Sequence, residues 1–506
     1  MQVTHAGAAG RAAGILLHPT SLPSPHGIGD LGEGAFRFID WLAEAGLTRW
    51  QFLPLVPAGP GNSPYATPAA LANHPLVVDL RGLVADGLLD AEAIQRPPDF
   101  SPDFADFARV LAFKRPLLEA AADALVSGRV PHLQTEFETF RHEARWADDA
   151  AAFLAIRESH GGAPWWTWPA ALRDREPSAL AAATAELAVP IARHVAAFFF
   201  FARQWQAVRA HAALRGVRLI GDVPIYVDRD SVDVWSHRDL FQLTPEGAPI
   251  AVAGVPPDFF STLGQRWGNP LYDWGRLAAD GHRWWIERMR RALADADIVR
   301  LDHFRGFAAY WEVPADAPDA RTGRWVEGPG RRLFDDLAAA LGTPLPLIAE
   351  DLGVIDDAVV ALRDATGLPG MRVLQFAFGG DADHPFLPHN YVVNSVVYTA
   401  THDNDTTMGW WQATDDRSRD HVRRYLGVHG HDVVWDLIRA AFASVAGLAI
   451  VPLQDVLCLD GRSRMNTPGE SRGNWAWRVR MQAFNAPLAA RLRELSGLYG
   501  RTPTPA

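Results

Sequence analysis

The run "IVRLDHFRGF", Ile298 to Phe307, opens like a buried strand and closes on an arginine, an aspartate, a histidine and a second arginine. An unpaired charge in an apolar interior is costly or shifts its pKa until it neutralises, so this strand has to emerge into a cleft. Other apolar runs end in the same way: "LPLIAED" in Glu350 and Asp351, "NSVVYTATHD" in His402 and Asp403, and "VRLIGDVPI" carries Asp222. Any one of these carboxylates is explained by capping the next helix or pairing with a surface arginine. Three at the ends of separate strands form a set which that explanation does not cover. Paired carboxylates facing one cavity suit glycosidic bond cleavage, in which one stays ionised to attack the anomeric carbon and the other holds a proton for the leaving oxygen. Arg300 stands two positions before Asp302, so strand alternation puts both side chains on one face, where the guanidinium favours an ionised carboxylate. Glu350 follows "LPLIA", where partial desolvation and the negative charge opposite raise a carboxyl pKa, as a general acid requires.

Residues so distant in the chain meet only if the fold gathers strand ends. Eight short apolar runs recur, most followed by a stretch of helical periodicity. They are Ala13–His18, Arg49–Leu55, Val217–Ile225, Asp297–Asp302, Leu345–Asp351, Met371–Phe376, Asn394–Asp403 and Gly447–Asp455. Amphipathic helices are expected in "GEGAFRFIDWLAEAG", "RLAADGHRWWIERMRRALADA", "GRRLFDDLAAALG" and "DAVVALRDATG". Eight strands made parallel by intervening helices predict an α/β fold, a (β/α)₈ TIM barrel, whose C-terminal face carries the site. The whole chain, 1–506, reads as one catalytic barrel with two insertions on that face. Residues 56–216, between the second and third strands, are rich in Ala, Leu and Trp and read as a mostly helical subdomain; 226–296 hold a Gly/Pro-rich loop with aromatics that covers substrate. The residues after the eighth strand suffice for a closing helix and for no separate C-terminal β domain.

Composition narrows the partners. With 48% hydrophobic and 21% charged residues and a net charge of −11, the chain resembles an ordinary globular enzyme and offers no basic face to nucleic acid. Its only cysteine, Cys458, forms no internal disulfide, and the most apolar run, "VAAFFFF", is too short to span a bilayer. The start of the chain lacks a charged segment followed by a long apolar stretch, so a cytoplasmic location and no membrane partner are expected. Nineteen tryptophans are an excess that core packing accounts for in large part, with the remainder available to stack on flat ligands.

The chain resembles the 4-α-glucanotransferases called amylomaltases or disproportionating enzymes, glycoside hydrolase relatives of the α-amylases. The matching segments run through nearly its whole length: "GILLHPTSLPSPHGIGDLG", "WQFLPLVPAGPGNSPYATPAALANHPLVVDL", "GDVPIYVDRDSVDVW", "GVPPDFFSTLGQRWGNPLYDW", "VRLDHFRGF", "IAEDLG", "THDNDT" and "RMNTPGESRGNWAWR". The resemblance implies that Asp302 is the nucleophile, Glu350 the general acid/base and Asp403 the carboxylate that grips sugar hydroxyls and stabilises the transition state. It implies that Arg300 and His402 surround the sugar undergoing cleavage, that Asp222 is the substrate-binding carboxylate of the third-strand motif, and that Tyr65, Phe259, Gln265 and Trp267 hold glucan at donor and acceptor subsites. The expected substrates are maltooligosaccharides, amylose or glycogen-type glucans, processed by retaining double displacement with the two carboxyl groups about 5–5.5 Å apart and without a metal or organic cofactor. Two positions depart from the family pattern. Tyrosine is commoner where Phe259 stands, and glycine is frequent where Cys458 stands.

"GIGDLG", Gly27 to Gly32, has the spacing of a dinucleotide fingerprint, but "PTSLPSPH" separates it from the first strand, so the tight strand-to-helix turn is missing. The histidines of "HGHD", His429 to Asp432, read as exposed loop and not as a metal site. A hydrolytic α-amylase-like enzyme shares the barrel and the carboxylates, and differs in releasing net new reducing ends. A non-catalytic glucan-binding protein keeps the aromatics but has no need of the three carboxylates.

Overall fold

The computed structural model describes residues 10–257 and 261–502. Its centre is a closed barrel of eight parallel strands: β1 (Ala12–Leu16), β2 (Arg49–Gln51), β3 (Arg218–Pro224), β4 (Ile298–Asp302), β5 (Leu347–Ala349), β6 (Gly370–Val373), β7 (Ser395–Tyr398) and β8 (Leu448–Pro452). Each strand pairs with the next, and β8 closes on β1 from Ala12 opposite Leu448 to Leu16 opposite Pro452. All eight overlap the runs read from the sequence, with the first and sixth beginning one residue earlier, at Ala12 and Gly370. These runs are continuous apolar blocks because helices cover the sheet outside and side chains fill it inside, leaving neither strand face to water. The outer helix Glu33–Glu44 shows the complementary pattern: Ala35, Phe38, Ile39 and Leu42 form its buried stripe, and Phe38 meets Trp50 of β2 edge-on at 5.2 Å. Trp41, Trp50, Trp165, Trp205, Trp235 and Trp285 are fully buried, which accounts for much of the tryptophan excess.

Between β2 and β3 the chain is mostly helical, with Phe107–Val126, Gln134–Glu143, Trp146–Ser159 and the long Ala188–Leu214 as the main elements. Helix Ala188–Leu214 packs on the barrel helix Glu33–Glu44 and also on Phe107–Val126 and Trp146–Ser159, so it joins the barrel shell to the helical insertion. Its Phe198–Phe201 run is buried, and among the described residues no single helix is long and apolar enough to cross a membrane. After β8 the described chain is helical or irregular and ends with the helix Ala486–Leu498.

Two features differ from the sequence expectation. The helix expected across "RLAADGHRWWIERMRRALADA" is broken into Trp274–Ala279 and Arg283–Asp295, because His282 takes a left-handed φ of 54° and buries its ring, with Nδ1 2.7 Å from Asp336. The loops above β3 and β4 also contain a four-stranded antiparallel sheet, ordered Gln265–Pro270, Ala251–Val255, Ala309–Pro314 and Arg324–Glu327. Its strands have only four to six residues each, too short for alternation to distinguish them from loop.

Candidate active site

The register between β3 and β4 sets Asp222 opposite Arg300 and Pro224 opposite Asp302. One guanidinium serves both carboxylates: Arg300 Nη1 donates to the two oxygens of Asp222 at 2.8 Å each, and Nη2 lies 2.8 Å from Asp302 Oδ1. Burial works against the charge on Arg300, but Asp222 and Asp302 outweigh it and hold its pKa above the ordinary range. Burial pushes the Asp222 carboxyl upward, against the pull of Arg300, whose guanidinium donates both of these short hydrogen bonds to it. Asp302 is more open to solvent than either partner and lines the cleft.

Glu350 follows β5 directly. Its amide donates to Leu301 O at 3.0 Å and its carbonyl accepts from Phe304 N at 3.0 Å, so its backbone is locked to the end of β4. The carboxylate accepts from His303 N at 2.6 Å and from Leu352 N at 2.9 Å. Only 8% of the residue is exposed. Burial, followed by the negative charge of Asp302, pushes its pKa up to about 8 against the pull of Arg300 and the two amides. His303 carries the backbone between the two carboxylates with φ at 54°, a left-handed conformation rare outside glycine and found at functional sites. Burial pushes its imidazole down to about 4, so the ring beside Asp302 is neutral at pH 7.

The third wall comes from the loop after β7. Asn404 Oδ1 accepts from the amide and hydroxyl of Thr401 at 2.9 and 2.8 Å, forming a tight turn that projects His402 and Asp403. Asp403 Oδ1 accepts from Asn466 Nδ2 at 2.6 Å, its backbone carbonyl accepts from Arg464 at 2.6 Å, and His402 Nε2 lies 3.3 Å from Oδ2. Tyr65 stacks on His402 with centroids 5.2 Å apart and rings inclined by 12°, tilts against Trp475, and donates its hydroxyl to Asp222 at 2.8 Å. Across the cleft Trp267, 39% exposed, meets the His303 ring edge-on at 4.8 Å. Its indole N–H donates to Gln265 at 3.1 Å.

The resulting cleft holds about 360 Å³ and is lined by Tyr65, Tyr226, Trp267, Asp302, His402 and Asp403, among others. Glu350 is not itself among the lining residues but is bonded to the amide of one, His303, and the Asp222–Arg300 pair holds Asp302 through the second arm of the guanidinium. Gln265 is exposed and acts on the cleft through Trp267. Phe259, and Phe260 beside it, lie outside the described residues. Asp351, the neighbour of Glu350, points elsewhere: it accepts from Met371 N and pairs with Arg363, a structural role. Sequence reasoning singled out neither Asn466, Arg464 and Trp475, which buttress Asp403 and Tyr65, nor His303. The first three lie in "RMNTPGESRGNWAWR", a polar stretch far from any strand end; the role of His303 resides in its backbone angle. "HGHD" is loop between the helices Asp416–Leu426 and Val433–Ala443, with both histidines exposed.

A sequence profile of the family described as 4-alpha-glucanotransferase matches residues 17–483. The 4-alpha-glucanotransferase of Thermus thermophilus is 47% identical over 495 residues, covering 96% of this chain and 98% of its own. The chloroplastic/amyloplastic 4-alpha-glucanotransferase of Arabidopsis thaliana is 47% identical over 498 residues, covering 97% of this chain and 86% of its own. Among solved structures, the amylomaltase from Streptococcus agalactiae in complex with acarbose superposes with a TM-score of 0.94 at 35% identity, over 97% of this chain and all of that one.

Proposed function

Because the chain belongs to the 4-alpha-glucanotransferase family, we propose that Asp302, Glu350 and Asp403 carry out glucan transfer by a retaining double displacement. Asp302 attacks the anomeric carbon of a bound α-1,4-glucan while Glu350 gives its proton to the departing 4-oxygen. Glu350, now a base, then takes the proton from the 4-hydroxyl of an acceptor glucose or glucan as that oxygen displaces the Asp302 ester. The observation that carries this reading is the contrast between the two carboxyls: Asp302 is paired with Arg300 and open to the cleft, whereas Glu350 is buried and pushed up to about 8. At neutral pH Glu350 holds the proton that the first step requires, and Asp302 stands against the guanidinium of Arg300. Asp403, fixed by Asn466 and Arg464 and 44% exposed in its side chain, is placed to accept sugar hydroxyls.

Tyr65, with His402 and Trp475, supplies a flat apolar surface on one side of Asp302, and Trp267 with Tyr226 supplies one on the other. Sugar rings stacked on both sides of the ester raise the effective concentration of acceptor and displace water, favouring transfer over hydrolysis. Gln265, bonded to the Trp267 indole, extends this reading, and the family resemblance gives Phe259 the same glucan-holding role. The acarbose complex of the Streptococcus agalactiae relative supports maltooligosaccharides, amylose or glycogen-type glucans as ligands. The single cysteine supports a reducing, cytoplasmic setting. Incubation with maltotriose tests the activity: glucose together with a ladder of longer maltooligosaccharides at constant reducing-end concentration is expected, and a steady rise in reducing ends would instead establish a hydrolase.

A further inference from the structure

Outside the active cleft, the "GIGDLG" segment takes part in a second polar cluster. The loop after β1 carries His26 and Asp30, and Asp79 caps the helix Leu80–Ala85 at the start of the helical insertion. An imidazole nitrogen and one oxygen from each carboxylate lie within 4.8 Å of one another. His26 Nδ1 is 3.9 Å from Asp30 Oδ2, too far for a hydrogen bond; the residue is 2% exposed and this nitrogen has no hydrogen-bond partner. Its ring is held by stacking on Phe113 with centroids 6.0 Å apart.

The two carboxylates converge without a cation in contact. Asp30 accepts from Ser24 Oγ and Gly32 N, and Asp79 accepts from the amides of Arg81 and Gly82. A Cβ at position 32 would sit 2.7 Å from Asp79 Cγ and 3.1 Å from Asp30 Oδ1, so glycine is what lets the acids approach. The nearby buried cations are committed elsewhere: Lys114 Nζ donates to Leu76 O and Val78 O at 2.6 Å each, and Arg478 donates to the carbonyls of Ser101, Leu22 and Ser24. Asp30 and Asp79, though not His26, also line a solvent pocket of about 380 Å³ that shares no lining residue with the active cleft, so the two carboxylates are reachable from solvent past Arg81, Arg478 and Arg480.

We propose that His26, Asp30 and Asp79 form a binding site for a divalent transition-metal ion of the Zn²⁺ type, which ties the loop after β1 to the helical insertion and takes no part in glucan transfer. One imidazole and two carboxylates with water in the remaining position match zinc, whereas Ca²⁺ and Mg²⁺ favour oxygen-only sites. Bonds near 2.0–2.1 Å put tetrahedral ligand atoms about 3.3 Å apart, so the cluster closes by a modest side-chain shift.

Isothermal titration of the chelator-treated full chain with Zn²⁺ tests this. One equivalent bound tightly, with a rise in Tm of a few degrees, is expected, and Ca²⁺ should produce neither. His26→Phe keeps an aromatic ring against Phe113, and Asp79→Asn keeps a helix cap; each should weaken Zn²⁺ binding about tenfold or more. Replacing His429 and His431 together with alanine should leave the site intact. Absence of Zn²⁺ binding by the wild-type chain, or binding that survives both His26→Phe and Asp79→Asn unchanged, would overturn the proposal. If a variant fails to fold, Co²⁺ loading of the wild type decides, because a tetrahedral Co²⁺ site absorbs strongly in the visible and a hydrated ion does not.

Discussion

At the scale of single residues, the proposed acid/base cycle rests on Glu350. Its pKa of about 8 stands well above the ordinary 4.5 of a glutamate because it is buried beside Asp302. As the proton donor of the first step it must be protonated, so kcat/KM for maltotriose should fall as pH rises above about 8, and Glu350→Gln should remove that limb together with most of the rate. The same shift governs stability. Between 4.5 and about 8 the folded state keeps a proton that the unfolded state releases, so Glu350 contributes less to stability as pH rises through this window. Thermal unfolding checks the sign: the Tm of Glu350→Gln relative to wild type should be more favourable at pH 8 than at pH 5. Asp302→Asn should lower transfer by about 10⁴-fold or more while oligosaccharide binding survives. Substantial residual transfer would remove Asp302 from its role.

At the scale of the element, what matters is how each strand end delivers its side chain. The barrel strands were legible because apolar runs ending in acids announce a buried strand that opens on a cleft, and because alternation put Arg300 and Asp302 on one face, where one guanidinium now bridges Asp222 and Asp302. Backbone sign was not legible. No pattern in "LDHFRG" reveals that His303 is left-handed, yet in that conformation its amide donates to Glu350. His303→Gly should therefore keep most of the activity and the alkaline limb near its wild-type pH, whereas His303→Val, which resists positive φ, should lose activity and shift that limb upward as a donor to the carboxylate is lost. Cys458 is a second case. Its φ of 54° explains why glycine is common there in the family pattern, so Cys458→Gly should leave Tm unchanged or raise it, and Cys458→Val should lower it by the equivalent of about 1–2 kcal/mol. Short strands around Ala251–Val255 and Ala309–Pro314 escaped notice because they are stabilised by pairing across two loops, information that a local window does not contain.

At the scale of the whole molecule, the proposed site is built at one end of the barrel and closure is secured at the other. Arg501, fully buried, donates to Ala12 O at the start of β1 and to Phe442 O, Ser444 O and Ala446 O ahead of β8. Arg501→Met would leave these carbonyls without partners, so it should lower stability by about 3 kcal/mol or more while transfer below the Tm remains near wild type. The division follows barrel architecture, in which the strands' C-terminal ends carry chemistry and their N-terminal ends carry stability. It also explains why the site's walls were harder to read from the residues than its floor: strand ends supply Asp302 and Glu350, whereas Tyr65 and Trp267, reached only through the family resemblance, come from the two insertions, and Asn466 and Trp475, given no role in the sequence, come from the segment after β8. The account's central claim is that Asp302 and Glu350 act on one anomeric carbon through a covalent intermediate. Trapping with a maltosyl fluoride whose acceptor 4-hydroxyl is blocked, followed by peptide mass spectrometry, tests it most directly. The account predicts a glycosyl ester on the peptide containing Asp302, accumulating further in Glu350→Gln; an adduct on another carboxylate, or product of inverted configuration without any adduct, would contradict it.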